Sequence, residues 1–156
     1  MTFLIAHQTQ PTMNTCFSTC LAMIKAEPAG CVIDQIHDWY FAGNVSTREA
    51  LDRVGIPFES FDTADLPFFQ KDGAYLVAVP SLNMPGGLHQ ILVECFDGRM
   101  TVLDPAAGVD GWKHYVADLT EGYENEIKLY GYMIDAFIDR KYLEQRYAFK
   151  LEGHAA

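Results

Sequence analysis

Positive charge is what this sequence has least of: eleven Lys and Arg stand against twenty-one Asp and Glu, a formal net charge of −10 over 156 residues. Nucleic acid and anionic membranes both demand a basic footprint, and the sequence marks none, so neither is an expected partner. A cationic peptide is compatible with that charge, which otherwise serves solubility. No basic segment leads into a long apolar run, and no apolar stretch is long enough to span a bilayer, so the chain reads as soluble and cytoplasmic. Repeats, low-complexity tracts and linkers are absent too, and a length of 156 residues suits one domain, 1–156, whose core needs no disulfides. Metal-binding pairs are missing. Cys16 and Cys20 lie one helical turn apart with His7 or Cys31 nearby, yet no Cys-x-x-Cys or His-x-x-x-His element completes a zinc set. Neither a metal nor any other cofactor is expected, and the four cysteines read as reduced thiols.

What is present is an ordinary globular composition with two contrasting halves. Thr2 to His7 holds a short apolar run that suits an edge strand or simple packing. An apolar helix follows, stopped by Pro28, Ala29 and Gly30, and Cys31 to Phe41 carries apolar residues at helical spacing. Ser46 opens a capping box with Glu49, predicting a helix that ends at Gly55. A helical turn is expected within Asp62 to Gln70. The second half alternates as strands: Ala74 to Leu82, His89 to Phe96, Arg99 to Asp104 and Gly131 to Ile138, with a terminal helix over Asp139 to Phe149 and a frayed tail from Gly153 to Ala156.

The chemistry begins in Gln10 to Ile24, QPTMNTCFSTCLAMI. Asn14 or Thr15 can cap the helix, which puts Cys16 in the first turn, where the positive end of the helix dipole favours a thiolate. Free cysteine is more often a buried structural residue, so Cys16 becomes a nucleophile only if a histidine partners it.

The second half supplies one. Asp97-Gly98 is a two-residue hairpin turn that pairs Phe96 with Arg99 and, counting outward, sets Ile91 opposite Asp104. His89, Ile91, Val93 and Cys95 then share a face with Asp104, Val102 and Met100, the face expected to pack on the helices. Gln90, Leu92, Glu94, Phe96, Arg99, Thr101 and Leu103 are left on a partly exposed face. On the inward face His89 and Asp104 are diagonal neighbours, and burying both requires that they pair. An imidazole held by Asp104 and facing Cys16 can take the thiol proton, the logic of a catalytic triad. His7, His37, His114 and His154 lack a strand-borne acid at a defined spacing. For an oxyanion, the natural donors are the backbone N–H of Cys16 and the side-chain amide of Gln10, with Gln8 as the alternative.

Taken together these residues resemble the papain-like cysteine peptidases, most closely the bacteriocin-processing, double-glycine leader group and its stand-alone relatives. Carrying the resemblance are Gln10, five residues and Cys16, then CLAMI, EALDRVGI, GGLHQILV and VLDPAAG, spread over Gln8 to Gly108. Thr15 and Phe17 stand where that group has Asp and Gly, and with fifteen residues before Cys16 and no membrane segment, neither an inhibitory propeptide nor an attached transporter is expected. The resemblance implies Cys16 as nucleophile, His89 as general base and acid, Asp104 as orienter and Gln10 as oxyanion donor.

The expectation is therefore an α+β, papain-like fold, with an N-terminal helical part packed on a C-terminal antiparallel β-sheet. Its function would be hydrolysis of a peptide or isopeptide bond in a peptide or protein substrate. Deamidation, transglutamination and cell-wall amide cleavage use the same parts. The rival is a catalytically inactive bacterial or phage regulatory module, with Phe17, Trp39, Tyr40, Phe68, Phe69, Trp112 and Tyr115 as a recognition surface.

Overall fold

The computed structural model describes residues 2–43, 45–59 and 69–153, with their side chains as far as Ala148. Most of the helical turn expected within Asp62 to Gln70, and all of the tail beyond Gly153, lie outside the described residues. N-terminal helices α1 (Cys16–Lys25), α2 (Ala29–Ala42) and α3 (Thr47–Arg53) pack against a sheet, and α4 (Arg140–Gly153) closes the chain. The sheet strands are β1 (Gly73–Pro80), β2 (Leu88–Phe96), β3 (Arg99–Leu103) and β6 (Met133–Asp139), in the antiparallel order β3-β2-β1-β6. This is an α+β architecture. A short parallel pair, β4 (His114–Val116) and β5 (Glu126–Lys128), was not marked by the sequence, since three-residue strands carry no readable alternation.

Helix α1 is the hub. Every residue from Phe17 to Lys25 is buried, Ser18, Thr19 and Lys25 included, which places the helix in the core rather than on the surface. It ends at Ala26, whose left-handed backbone (φ 56°) turns the chain, with Glu27 N–H donating to Ala22 O at 3.0 Å. Pro28 therefore precedes α2, and Ala29 and Gly30 belong to its first turn instead of forming a stop. Gln8 welds this corner, its amide donating to Glu27 O at 2.6 Å while its oxygen accepts from Ala29 N–H at 2.8 Å. Ser46 caps α3 by accepting from Glu49 N–H at 3.2 Å.

The sheet is covered on both sides, and here the expected facing is reversed. Leu76, Leu92, Leu103, Ala136 and Ile138 pack with α1, α2 and α4. Val77, Ile91, Val93 and Cys95 face the other way, into a second core under Tyr115 of β4. The misleading residue was Glu94, which looks like a solvent-facing position yet is fully buried under the N-terminal segment. Its carboxylate accepts from Leu4 N–H at 2.7 Å and Ile5 N–H at 3.0 Å, so burial is offset by hydrogen bonds. Thr2 to His7 is thus pinned by a side chain and forms no strand.

The hairpin itself has the expected register, Phe96 with Arg99 through Leu92 with Leu103. Asp97 and Gly98 both adopt positive φ (53° and 73°), as a two-residue hairpin turn of this hand needs. No helix among the described residues is long and apolar enough to cross a membrane.

Candidate active site

Three elements meet at Cys16: the start of α1, the start of β2 and the loop leaving β3. Thr15 is the N-cap of α1, but neither it nor Asn14 caps with its side chain. The Thr15 hydroxyl turns back to Thr12, donating to its carbonyl at 3.1 Å and accepting from its N–H at 3.1 Å. The expected cap is therefore absent, and the first-turn amides stay open to the sulfur. Phe17 N–H donates to Cys16 from that turn, and Gln90 N–H donates to it from β2. Cys16 N–H has no acceptor within the helix, as for any first-turn amide.

His89 bonds both partners. One ring nitrogen, Nε2, lies 2.5 Å from Asp104 Oδ1, and the side chain also hydrogen-bonds Cys16, which leaves Nδ1 for the sulfur. Asp104 is locked in turn, accepting from Ala106 N–H at 2.8 Å and Tyr115 N–H at 2.7 Å, with its side chain only 1% exposed. Burial works against charge on both reacting groups, and the pair overcomes it. His89 is pushed down by burial, but its bonds to Asp104 and Cys16 raise it to about 9. Burial pushes the Cys16 thiol up, but His89 and the two N–H donors bring it below its ordinary value. Both shifts run toward a thiolate beside an imidazolium.

Gln10 is placed next door, its backbone N–H on Pro105 O at 2.9 Å, but its side chain is inward and occupied. The amide nitrogen donates to Thr12 O at 2.8 Å and Met13 O at 3.2 Å, and the buried Oε1 has no partner among the described residues. Gln8, the alternative, is spent on the α1–α2 corner. Gly108 closes the loop after Asp104: its φ is 96°, and a Cβ there would stand 2.5 Å from Thr9 Oγ1.

The remaining histidines find other work. His7 Nε2 lies 2.7 Å from the backbone oxygen of Asp104, and the His37 ring packs on Phe41. His114 does have a strand-borne acid, Glu126 on β5 at 4.0 Å, because β4 and β5 pair where the sequence showed no ladder. His154 lies outside the described residues. All four cysteines are free, and among the described residues no three His, Cys, Asp or Glu side chains are grouped to hold a metal ion.

A cleft of about 330 Å³ opens beside Cys16 and His89. Its helical wall is Phe17 stacked on Tyr40, ring centroids 4.2 Å apart, and its rim carries the exposed apolar side chains of Phe41, Leu88 and Met133. Phe17 is thus buried wall rather than a projecting group. Most of the aromatic recognition surface proposed from the sequence is likewise core or half-buried. Tyr115 is 1% exposed, Trp39 and Tyr40 pack on the first core and Phe69 on the second, while Phe68 lies outside the described residues. Two site residues escaped the sequence reading: Gln90, whose N–H reaches the sulfur, and Asp135 of β6, whose carboxylate lines the cleft and accepts from the Gln90 side chain at 2.9 Å. A lone acid inside the apolar run YMIDAFI was the available signal. Comparison with protein-family models, with curated proteins and with solved structures finds no match to this chain.

Proposed function

We propose that this protein is a papain-like thiol hydrolase that cleaves a peptide or isopeptide amide bond in a reducing, cytoplasmic setting. The observation that carries the reading is the unbroken line Cys16–His89–Asp104, with two backbone N–H groups aimed at the sulfur. A structural cysteine needs none of these partners, whereas a nucleophile needs all of them.

In the proposed reaction the Cys16 thiolate adds to the amide carbonyl carbon. Negative charge moves to the carbonyl oxygen, where Cys16 N–H meets it and the Gln10 amide joins on releasing a loop carbonyl. As the C–N bond breaks, His89 gives its proton to the leaving amine. Water then attacks the thioester, His89 takes its proton, and the carboxylic acid leaves with the thiolate restored. Asp104 positions the ring throughout without touching substrate. Other acyl transfers share every step but the last acceptor.

The exposed rim of Phe41, Leu88 and Met133 favours a polypeptide over a small amide, since apolar side chains around a cleft mark an interaction surface. The same rim would serve a catalytically inactive binding module, and the sulfur separates the two. Iodoacetamide at neutral pH should label Cys16 ahead of Cys20, Cys31 and Cys95, and mass spectrometry after exposure to a peptide library should find an acyl group on Cys16 that is absent from Cys16→Ala. Uniform slow labelling and no adduct would leave only the binding module.

A further inference from the structure

Asp135 owes its position to an irregularity in the sheet. Leu76 pairs with Ala136 and Val77 with Ile134, so Asp135 is an extra residue in β6 with no partner on β1. Such a bulge breaks the alternation of faces and re-aims a side chain. Ile134 and Phe137 belong to the second core and Ala136 and Ile138 to the first, which leaves the inserted Asp135 on the same side as Ala136, toward α1 and the cleft.

There the carboxylate is half-buried and incompletely served. One oxygen accepts from Gln90 Nε2, and no described residue bonds the other. Among the described residues, no Lys or Arg lines the cleft. Burial raises the acid's pKa, which an arriving cation would reverse, and burial first, then the charges of Asp135 and Cys16, push up the Tyr40 hydroxyl. Facing Asp135 are the aromatic pair Phe17 and Tyr40, a surface suited to the methylene stem of a long cationic side chain.

We infer that Asp135 is a specificity residue, reading a Lys or Arg side chain that flanks the substrate's reacting carbonyl while its stem lies on the Phe17–Tyr40 wall. The inference rests on the acyl-transfer reading, and adds to it the chemical class of residue beside the scissile bond. Gln90 ties the two together, since its backbone reaches the nucleophile and its side chain holds the acid.

The test is protection of Cys16 from iodoacetamide, followed by mass spectrometry, using alanine heptapeptides with a single central Lys, norleucine or Glu. The Lys peptide should protect at concentrations about tenfold below the norleucine peptide, and the Glu peptide least, as expected for one partly desolvated charge pair. Asp135→Asn should abolish the difference between Lys and norleucine, and Asp135→Arg should move the preference to Glu. Dividing each result by the same variant's labelling rate without peptide cancels any change in the sulfur itself. Equal protection by Lys and norleucine, no protection by any peptide, or a Lys preference that survives Asp135→Asn would overturn the inference. So would n-butylammonium protecting as well as the Lys peptide, since that would mark a free-amine site. The peptide-free labelling of Cys16 relative to exposed Cys31 judges the acyl-transfer reading separately.

Discussion

The first and second turns of α1 each carry a thiol, and the fold drives the two in opposite directions. Both sulfurs lose water: burial is the largest influence on each and pushes each up. Cys20 has nothing to answer it, since its thiol donates to Gln90 O at 3.4 Å and the nearby Cys16 and Asp104 add negative charge. It is held well above the ordinary thiol value. Cys16 meets the other end of the same residue, the Gln90 N–H, together with Phe17 N–H and the His89 ring, and comes out below it. The backbone of one residue thus offers a donor to one cysteine and an acceptor to the other. Reactivity in this helix is set by which partners surround the sulfur, not by how deeply it is buried.

Removing each sulfur gives the widest contrast. Cys16→Ala should abolish peptide turnover by about 10⁴-fold or more, the scale on which a nucleophile's loss is felt, while Cys20→Ala should leave turnover within about threefold. Quenched-peptide hydrolysis with matched folded protein measures both. The Cys16→Ala variant also sharpens the comparison from the histidine's side: without the neighbouring thiolate, His89 should titrate below 9 by NMR.

Asp104→Asn attacks the support of the pair. It should lower kcat by roughly 10³–10⁴-fold, because an amide in place of the carboxylate holds the ring in the wrong tautomer and no longer stabilises the imidazolium. A positioning role has a second signature, a fall in the His89 pKa in a variant that circular dichroism shows to be folded, since unfolding would also bring it down toward 6.5. Unchanged titration of His89 would count against the triad.

Gln10→Ala should cost about 10²-fold in kcat with little change in KM if its amide turns to the oxyanion during the reaction. Should Gln10 act only as a brace for the Thr12 and Met13 carbonyls, melting temperature would fall and kcat would not.

pH distinguishes the two halves of the site within one sample. Alkylation needs only the thiolate, so its rate should rise through the lowered Cys16 pKa and then level off. Turnover also needs the imidazolium, so it should decline roughly tenfold per pH unit once pH passes about 9. The fold follows the same proton. His89 titrates at about 9 folded against 6.5 free, so its charge stabilises the fold fully below 6.5, and that contribution is lost as pH rises through about 9.

How much of this was legible depended on whether local chemistry or distant packing decided each feature. Asp97-Gly98 specifies its turn locally, and from that turn the register to His89 and Asp104 is a matter of counting. Which face met the helices could not be counted, because both faces carry apolar residues and, of the polar residues that suggested exposure, Glu94 is bonded to amides some ninety residues away at Leu4 and Ile5. The same limit hid Asp135, whose side depends on a bulge visible only in the pairing with β1. At α1 the opposite failure occurred: Thr15 has the right chemistry to cap and spends it on Thr12 instead. That departure keeps the first-turn amides open to the sulfur.

The smallest effect tests what the second turn contributes when its thiol does no chemistry. Cys20 is completely buried in the first core and donates one weak S–H bond to Gln90 O, the carbonyl of the residue whose N–H holds Cys16. Cys20→Ala removes one sulfur atom's worth of packing, so denaturant unfolding should show a loss of about 1 kcal/mol, near the cost of a small buried group. Cys20→Ser keeps a donor but places a more polar oxygen among apolar neighbours, and should lose at least as much. Neither should slow alkylation of Cys16 by more than about threefold if the backbone at Gln90 is held by the β1–β2 ladder, where Gln90 pairs with Ala78. A large drop in Cys16 reactivity in either variant would mean that the two thiols are coupled through the Gln90 backbone, and that the second turn helps aim the donor on which the first depends.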